Sequence, residues 1–269
     1  MNILDKIVLH KQKELAALQQ RLAAKELERS PLFELPRVSL KAQLTSDGAS
    51  GIIAEFKRKS PSQGIINDTA TVKDTVGAYQ EAGVSGVSVL TDGTFFMGQK
   101  EDVEQARSIL QIPILRKDFI LDTFQILEAR AMGADVILLI AAILTPEEIK
   151  QLALFAHSLQ LEVLMEVHNQ EELDRSLNEH IDLVGVNNRN LKDFTVDIHT
   201  SLSLSERIPN EFVKVAESGL SDPKEVLRLR EVGFKGFLMG QRFMETQDPG
   251  QACREFVKRV QNESVVGSQ

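Results

Sequence analysis

A strand–helix–strand unit can be read in residues 136–166, which run VILLIAAILTPEEIKQLALFAHSLQLEVLME. The runs at 136–140 and 162–166 have the length and aliphatic content of buried strands. The segment between them carries apolar residues at helical spacing, and the pair Thr145-Pro146 is typical of a helix start. This pattern indicates repeated βα units and predicts the α/β fold class.

The same alternation repeats from residue 51 onward. The predicted strands are 52–57, 87–91, 113–117, 136–140, 162–166, 183–187, 213–217 and 236–239. The predicted helices include 71–82, 123–132, 146–159, 170–177 and 223–232. Gly83, Gly133 and Gly233 follow three of these helices, where a left-handed stop favours glycine. Eight strands at roughly 25-residue spacing favour a (β/α)8 TIM barrel over a doubly wound sheet.

An extra amphipathic helix precedes the predicted barrel. Its apolar side is formed by Ile3, Leu4, Ile7, Val8, Leu15, Leu18 and Leu22 within residues 1–29. Residues 30–36, with two prolines, are predicted to link it to the barrel. We expect a single domain over residues 1–269 in which 1–36 form this extension. The helix could cover the barrel bottom, cover the mouth or dimerise, and its periodicity does not separate these.

The composition excludes several classes of function. The 269 residues carry 31 Lys and Arg against 39 Asp and Glu, a net charge of -8, which argues against nucleic-acid or anionic membrane partners. The single cysteine, Cys253, can form neither an intramolecular disulfide nor a zinc site. No signal peptide and no apolar run of the roughly 20 residues that a membrane helix needs is present, so we expect a cytoplasmic protein.

Charged side chains lie at the carboxyl ends of several predicted strands. In strand 52–57, side-chain alternation puts Ile53, Glu55 and Lys57 on one face and leaves the apolar set on the other, towards the helices. Glu55 and Lys57 should therefore face the barrel interior at the end where barrel enzymes carry their chemistry. The same alternation points Lys117, Glu166, Asn187, Arg189 and Glu217 to that end.

A charged side chain at the end of a strand can also simply reach solvent. Chance placement of charged or amide side chains at the ends of five strands is less expected. Three acids meet three bases in this set, so the charges can pair at little net cost. Such crowding shifts pKa values, which proton-transfer chemistry requires.

Small residues at two further strand ends predict a phosphate site. Ser218, Gly219 and Gly240 follow the seventh and eighth strands, where barrels bind phosphate with backbone N–H groups. The alternative is that the glycines only serve turns. The polar segment 60–64 is either a mobile lid with hydroxyl donors, such as Ser60, or an ordinary solvated turn.

Several stretches together resemble one known family, indole-3-glycerol phosphate synthase. They are IAEFKRKSPS at 53–62, VLTD at 89–92, LRKDFI at 115–120, LLIAAIL at 138–144, EVH at 166–168, GVNNR at 185–189 and AESG at 216–219. They follow the family's order and cover the barrel from about residue 51 to 250, which a chance motif would not do.

The resemblance implies that 1-(2-carboxyphenylamino)-1-deoxyribulose 5-phosphate closes its ring and loses CO2 and water. It implies no cofactor and no metal. Lys117 resembles the family's general acid, Glu166 the carboxylate of the later proton transfers, and Lys57 the lysine that contacts the substrate carboxylate and phosphate. The expected catalytic residues are Lys117, Glu166, Lys57, Glu55, Asn187 and Glu217. The expected substrate-binding residues are Ser60, Phe119, Arg189, Ser218, Gly219 and Gly240.

Two positions depart from the family pattern. Gln241 and Arg242 follow Gly240 where a small residue is usual, and Asn190 replaces an aspartate after Arg189. We expect a phosphorylated small-molecule substrate, a monomer or weak homo-oligomer, and no fusion partner after the eighth helix.

Two rival functions and two further candidate residues are less favoured. The phosphoribosylanthranilate isomerase step is expected to use a Cys/Asp pair, but Cys253 lies far from any strand end. A noncatalytic phosphate-sugar sensor would not need both Lys117 and Glu166. Asp92 is predicted to anchor a turn, and His168 to cap a helix or reach solvent.

Overall fold

The computed structural model describes residues 3–190 and 193–266. Within this part of the chain, eight parallel strands close into a barrel. They are β1 (Ile52–Phe56), β4 (Gly86–Leu90), β5 (Ile114–Lys117), β6 (Val136–Ile140), β7 (Glu162–Val167), β8 (Leu183–Asn187), β9 (Val213–Glu217) and β10 (Phe234–Met239). Their order around the barrel is β1-β10-β9-β8-β7-β6-β5-β4, and β1 pairs with β4 to close it. A short antiparallel hairpin, β2 (Lys59–Ser60) with β3 (Gly64–Ile65), follows β1. The predicted TIM barrel is confirmed.

Helices surround the barrel and cover its two ends. They are α1 (Ile3–Arg21), α2 (Ala24–Leu27), α3 (Leu40–Thr45), α4 (Val72–Glu81), α5 (Gly93–Phe96), α6 (Lys100–Arg107), α7 (Thr123–Met132), α8 (Pro146–Ser158), α9 (Gln170–Ser176), α10 (His199–Leu204), α11 (Pro223–Glu231), α12 (Gln241–Met244) and α13 (Pro249–Val266). The predicted start of α8 is confirmed: the Thr145 side chain caps it and Pro146 follows. Over the described residues, no helix has the length and apolar content needed to cross a membrane.

The two faces of β1 divide the core as its alternation predicts. Ile52, Ala54 and Phe56 pack in the layer between strands and helices. Ile53 packs in the separate cluster inside the barrel, with side chains such as Leu115. Interior positions towards the carboxyl ends of the strands are therefore the ones that carry the charged residues.

The bottom of the barrel is closed by α3. Leu40 and Leu44 of this helix are fully buried in the interior cluster. The backbone N–H groups of Leu40 and Lys41 donate to the Glu162 carboxylate, at the amino end of β7. Because α3 fills the bottom, the interior opens towards the strands' carboxyl ends.

Helix α1 covers the mouth, the second of the three positions predicted for the N-terminal helix. Ile7 of α1 is buried in the interior cluster. The predicted helix over 1–29 is interrupted: α1 ends at Arg21, and Ala23 adopts an extended conformation before α2. The break lets α2 pack against α7 on the side of the barrel.

Candidate active site at the barrel mouth

A cavity of about 200 Å³ lies at the carboxyl ends of the strands, beneath α1. Its lining includes every residue that the sequence analysis assigned to catalysis or substrate binding. These are Glu55, Lys57, Ser60, Lys117, Phe119, Glu166, Asn187, Arg189, Glu217, Ser218, Gly219 and Gly240. Side chains that are distant in sequence thus meet at one place because their strands are neighbours in the barrel.

Lys117 is the centre of the charged groups. Its Nζ lies 3.2 Å from Glu166 Oε2 and 2.5 Å from Glu217 Oε2. Burial alone lowers the pKa of Lys117, but Glu217, Glu166 and Glu55 outweigh it and raise the pKa well above its usual value. The ligand-free site therefore holds Lys117 as an ammonium ion, the form that a general acid requires.

Glu217 has an unusual environment for a carboxylate. Burial, reinforced by the charges of Glu166 and Glu55, raises its pKa to about 7 against the opposing effect of Lys117. In the described part of the chain, no group donates a hydrogen bond to its Oε1. A Cβ at Gly185, on the neighbouring strand, would lie 2.3 Å from that oxygen, so only glycine leaves room for Glu217 here. The carboxyl group can therefore take up or release a proton near neutral pH.

Glu166 accepts contacts on both of its oxygens. Lys117 binds Oε2, and the Asn187 side-chain amide donates to Oε1 at 3.3 Å. Burial raises the pKa of Glu166, but Lys117 and then His168 outweigh it, so the pKa lies below its usual value. Glu166 is thus held as a carboxylate, the state in which it can accept a proton.

Glu55 and Lys57 form a second pair at the end of β1. Lys57 Nζ lies 2.7 Å from Glu55 Oε1, and Ser88 donates to Oε2 at 3.3 Å. Burial raises the pKa of Glu55, but Lys57 and Lys117 outweigh it and lower the pKa. A Cβ at Gly240 would lie 2.9 Å from Glu55, so this glycine makes space for the pair as well as lining the cavity.

One wall of the cavity is apolar. Phe119 and Phe96 lie with ring centroids 6.0 Å apart. Ile3, Leu4 and Ile7 of α1 complete the lining on this side. These α1 residues are outside the site predicted from the sequence, because periodicity identifies an apolar helix face without showing what that face covers.

Backbone shape at the ends of β9 and β10 provides a polar end to the cavity. Ser218 has φ 65° and Gly219 has φ 75°, a left-handed pair in which the serine is an uncommon occupant. Gly240 precedes α12, and the exposed Arg242 also lines the cavity. Arg189 lies nearby, with its guanidinium bonded to the Phe194 carbonyl.

Two conformations are predicted for segment 60–64, a mobile lid or an ordinary solvated turn. The segment is not an ordinary solvated turn. It forms the β2–β3 hairpin, in which Ser60 is buried and accepts a hydrogen bond from the Gln63 backbone N–H. Ser60, Pro61 and Ser62 line the cavity.

Asp92, His168 and Cys253 are not among the expected catalytic or substrate-binding residues, and the structure shows the surroundings of each. Asp92 caps α5 by accepting from the Phe95 N–H at 2.7 Å, so its predicted turn role is confirmed. The prediction that His168 caps a helix or reaches solvent is wrong: Asn169 caps α9, and the largely buried His168 ring, just past the end of β7 at Val167, lies 3.4 Å from Glu166 Oε1. Cys253 is buried in the helix-side core, and burial raises its pKa to about 12, so it is no acid–base partner for the mouth.

No group of three or more His, Cys, Asp or Glu among the described residues is arranged to hold a metal ion. The cavity instead offers carboxylates, ammonium groups and an aromatic wall. This arrangement can bind an anionic aromatic ligand and move protons to and from it.

Comparisons with known proteins agree on one family. The family model described as indole-3-glycerol phosphate synthase matches residues 4–256. Indole-3-glycerol phosphate synthase of Bacteroides thetaiotaomicron is 44% identical over 97% of this chain and 99% of the relative. The enzyme of Polaromonas sp. is 43% identical over 94% of this chain and 97% of the relative.

Solved structures at lower identity support the fold alone. Thiamine phosphate pyrophosphorylase from Pyrococcus furiosus aligns with a TM-score of 0.59 at 16% identity, over 84% of this chain and 98% of that one. KGPDC from Streptococcus mutans aligns with a TM-score of 0.57 at 17% identity, over 78% of this chain and 97% of that one.

Proposed function

The chain belongs to the indole-3-glycerol phosphate synthase family, and from that premise we propose how its mouth residues share the steps of the reaction. The enzyme is a carboxy-lyase of tryptophan biosynthesis that acts on a phosphorylated small substrate. In our proposal Lys117 is the general acid of ring closure and Glu166 is the base of dehydration. The observation that carries this assignment is the position of Lys117 Nζ within 3.2 Å of two carboxylates from different strands.

Ring closure forms a bond between the carboxyl-bearing aromatic carbon and the ketone carbon. Negative charge develops on the ketone oxygen, and Lys117 transfers a proton to it. CO2 then leaves, and its bonding electron pair restores the aromatic ring. Loss of CO2 is fastest when the carboxylate stands out of the ring plane, a geometry that Lys57 can enforce by binding it.

Dehydration completes the indole. The new hydroxyl group takes a second proton, from Lys57 or Lys117, and leaves as water. Glu166 accepts the proton that the neighbouring carbon loses as the double bond forms. Because Glu166 Oε2 lies 3.2 Å from Lys117 Nζ, this proton can return to the lysine. Overall, the reaction consumes one proton for each substrate carboxylate that leaves as CO2.

Substrate orientation follows from the two ends of the cavity. We propose that the aromatic ring lies against Phe119 and that the phosphate lies near Ser218, Gly219 and Gly240. Gln241 stands where a small residue is usual in the family, and Arg242, the next residue, supplies a positive charge at that end. Asn187, Arg189, Glu55 and Ser60 complete the polar lining. The support for this orientation is the separation of apolar and polar residues around one cavity.

We further propose that residues 1–269 act as one domain, in which residues 1–36 form the N-terminal extension and its helix α1 closes the mouth. A cytoplasmic monomer or weak homo-oligomer without a nucleic-acid partner fits the net charge of -8.

The test follows indole fluorescence after adding the carboxyphenylamino deoxyribulose phosphate. Lys117→Ala should abolish turnover and leave substrate binding measurable. Lys150→Ala is the matched control, because Lys150 is 54% exposed and pairs with Glu179 on the outer surface. Full turnover by Lys117→Ala would refute the assignment of the general acid.

A further inference from the structure

The ring of His168 lies between two carboxylates from different elements. Its Nε2 is 3.4 Å from Glu166 Oε1, and its Nδ1 is 3.2 Å from Glu172 Oε2. The His168 side chain is only 11% exposed. The assigned steps of the reaction make no use of this histidine.

The protonation state of the ring follows from these contacts. A neutral imidazole has one N–H group, and Glu172 already faces Nδ1. The unprotonated Nε2 would then lie 3.4 Å from the Glu166 carboxylate with no positive charge to offset that of the carboxylate. An imidazolium ion instead donates to Glu172 through Nδ1–H and places its positive charge 3.4 Å from Glu166, a charge contact in which Nε2 makes no hydrogen bond among the described residues.

The charges around the ring favour the imidazolium form. Burial lowers the pKa of His168, but the hydrogen bond to Glu172 and the charges of Glu166, Glu172 and Glu217 outweigh it and raise the pKa. Glu172 is fixed in turn: its Oε2 also accepts from the His168 backbone N–H at 2.8 Å, and its Oε1 accepts from the Asn169 amide at 2.9 Å. Glu172 therefore holds His168 through both the imidazole ring and the backbone of that residue.

Glu166 meets a different cation on each of its oxygens. Lys117 faces Oε2, while His168 and the uncharged Asn187 amide face Oε1. Glu217 and Glu55 lie around Lys117 as further negative charges, and the nearby cation Lys57 is paired with Glu55 at 2.7 Å. His168, whose charge acts on Glu166 next after that of Lys117, still lies beside this carboxylate after Lys117 has given its proton to the substrate.

We propose that His168 is a positioning residue that keeps Glu166 ionised and aimed at the substrate through the steps in which Lys117 is neutral. Glu172 assists by holding His168 in its cationic form. This inference rests on the proposed role of Glu166 as the base. It adds to that role the cation His168, which does not line the substrate cavity, and the carboxylate of Glu172 on the far side of the His168 ring.

The test is the pH profile of kcat for His168→Asn and Glu172→Gln. Loss of the imidazolium charge raises the pKa of Glu166, so the acidic limb should move to higher pH by about one unit in both variants. At pH 8 the loss of kcat should be small. At pH values below the midpoint of the wild-type acidic limb, the loss of kcat should reach about tenfold. His157→Asn is the matched control, because His157 pairs with Asp182 on the outer surface at 2.8 Å. An unmoved limb in folded His168→Asn would overturn the proposal.

A second measurement does not depend on turnover. NMR titration of the His168 ring in the ligand-free wild-type enzyme should show a pKa above the usual histidine range, which falls in Glu172→Gln. A ring that titrates at or below the usual value overturns the proposal even where a variant fails to fold. Failure of the proposed function is distinguishable, because Glu166→Gln would then retain full turnover whatever His168 does.

Discussion

Lys11 of α1 and Asp118, which directly follows Lys117, form a buried ion pair with 3.0 Å between Nζ and Oδ1. Both side chains are at most 3% exposed. Asp92, at the end of the preceding barrel strand, lies 3.1 Å from the same ammonium group. The helix that covers the mouth is thereby fixed to two strand ends by one side chain.

Lys11→Met should loosen this cover. Removing one partner of a buried pair leaves charge uncompensated and typically costs about 3 kcal/mol, so the melting temperature should fall. Part of that cost disappears if α1 detaches and water reaches Asp92 and Asp118. Detachment removes Ile3 and Ile7 from the cavity wall, so KM should rise about tenfold if only a tenth of the molecules remain closed. Steady-state kinetics and thermal unfolding measure both effects.

Lys13→Met provides the control, because Lys13 lies on the same helix but is exposed. It should leave both KM and the melting temperature near their wild-type values. An unchanged KM in Lys11→Met would show that α1 does not need this ion pair to cover the mouth.

Asp118 should give the stability of the enzyme a distinct dependence on acid. Burial raises its pKa, but Arg116 and Lys11 outweigh burial and lower the pKa from 3.8 to about 2. A carboxyl group with a lowered pKa stabilises the fold above its unfolded pKa, and that stability is lost as pH falls through the folded value. The contribution should be about 2 kcal/mol at neutral pH and should vanish between about pH 4 and pH 2.

Asp118→Asn removes this contribution, so the difference in unfolding free energy between the variant and wild type should shrink over that same pH interval. Denaturant unfolding at pH 7, 4, 3 and 2 measures it. A difference that stays constant down to pH 2 would contradict the ionic role of Asp118.

Glu217 and Glu166 should respond to neutralisation with opposite signs. The pKa of Glu217 is raised from 4.5 to about 7, so its stabilising effect is complete below about pH 4.5 and is lost as pH rises through about 7. Above pH 7, Glu217→Gln should therefore be more stable than wild type, by about 1–3 kcal/mol. The pKa of Glu166 is lowered, so Glu166→Gln should be less stable than wild type at the same pH.

Activity should not follow stability in this pair. Both variants should lose kcat, and Glu166→Gln should lose about 100-fold, as expected on removal of a general base. Urea unfolding at pH 8 combined with the fluorescence assay separates the two quantities. Equal stability changes in the two variants would mean that their different environments have no energetic consequence.

The barrel and most of its mouth were accessible to sequence reasoning because both follow from local rules. Alternation along β1 correctly put Ile53 inside the barrel and Phe56 towards the helices. The strand ends that carry Lys117 and Glu166 then meet because a closed parallel sheet brings all carboxyl ends together.

Features that depend on contacts between distant segments were not accessible. The mouth position of α1 rests on Lys11 reaching Asp92 and Asp118, which no periodicity encodes. A signal was nevertheless present, since a lysine continues the i, i+4 spacing of the apolar Ile3 and Ile7. The prediction for His168 was wrong because a strand pattern does not show whether side-chain alternation persists beyond the last paired residue: β7 ends at Val167, yet the His168 ring still lies beside Glu166.

Gly185 should tolerate no side chain, for a reason unrelated to backbone conformation. A Cβ there would lie 2.3 Å from Glu217 Oε1 and 3.3 Å from Leu164. Gly185→Ala must therefore displace the Glu217 carboxylate from Lys117, and kcat should fall about tenfold or more, as when an electrostatic contact of the transition state is lost. The loss should be smaller in the Glu217→Gln background, since the two changes disturb the same contact.

Gly77→Ala is the matched control for this substitution. Gly77 lies within α4, and a Cβ there would only touch Ile109 at 3.5 Å, an ordinary contact. Alanine in a helix interior should raise stability by about 0.5–1 kcal/mol and leave kcat unchanged. If Gly185→Ala also keeps full kcat, Glu217 either has room to move without consequence or makes no contribution to the rate, and the kcat of Glu217→Gln alone decides between them. Additive losses would show that the two residues act independently.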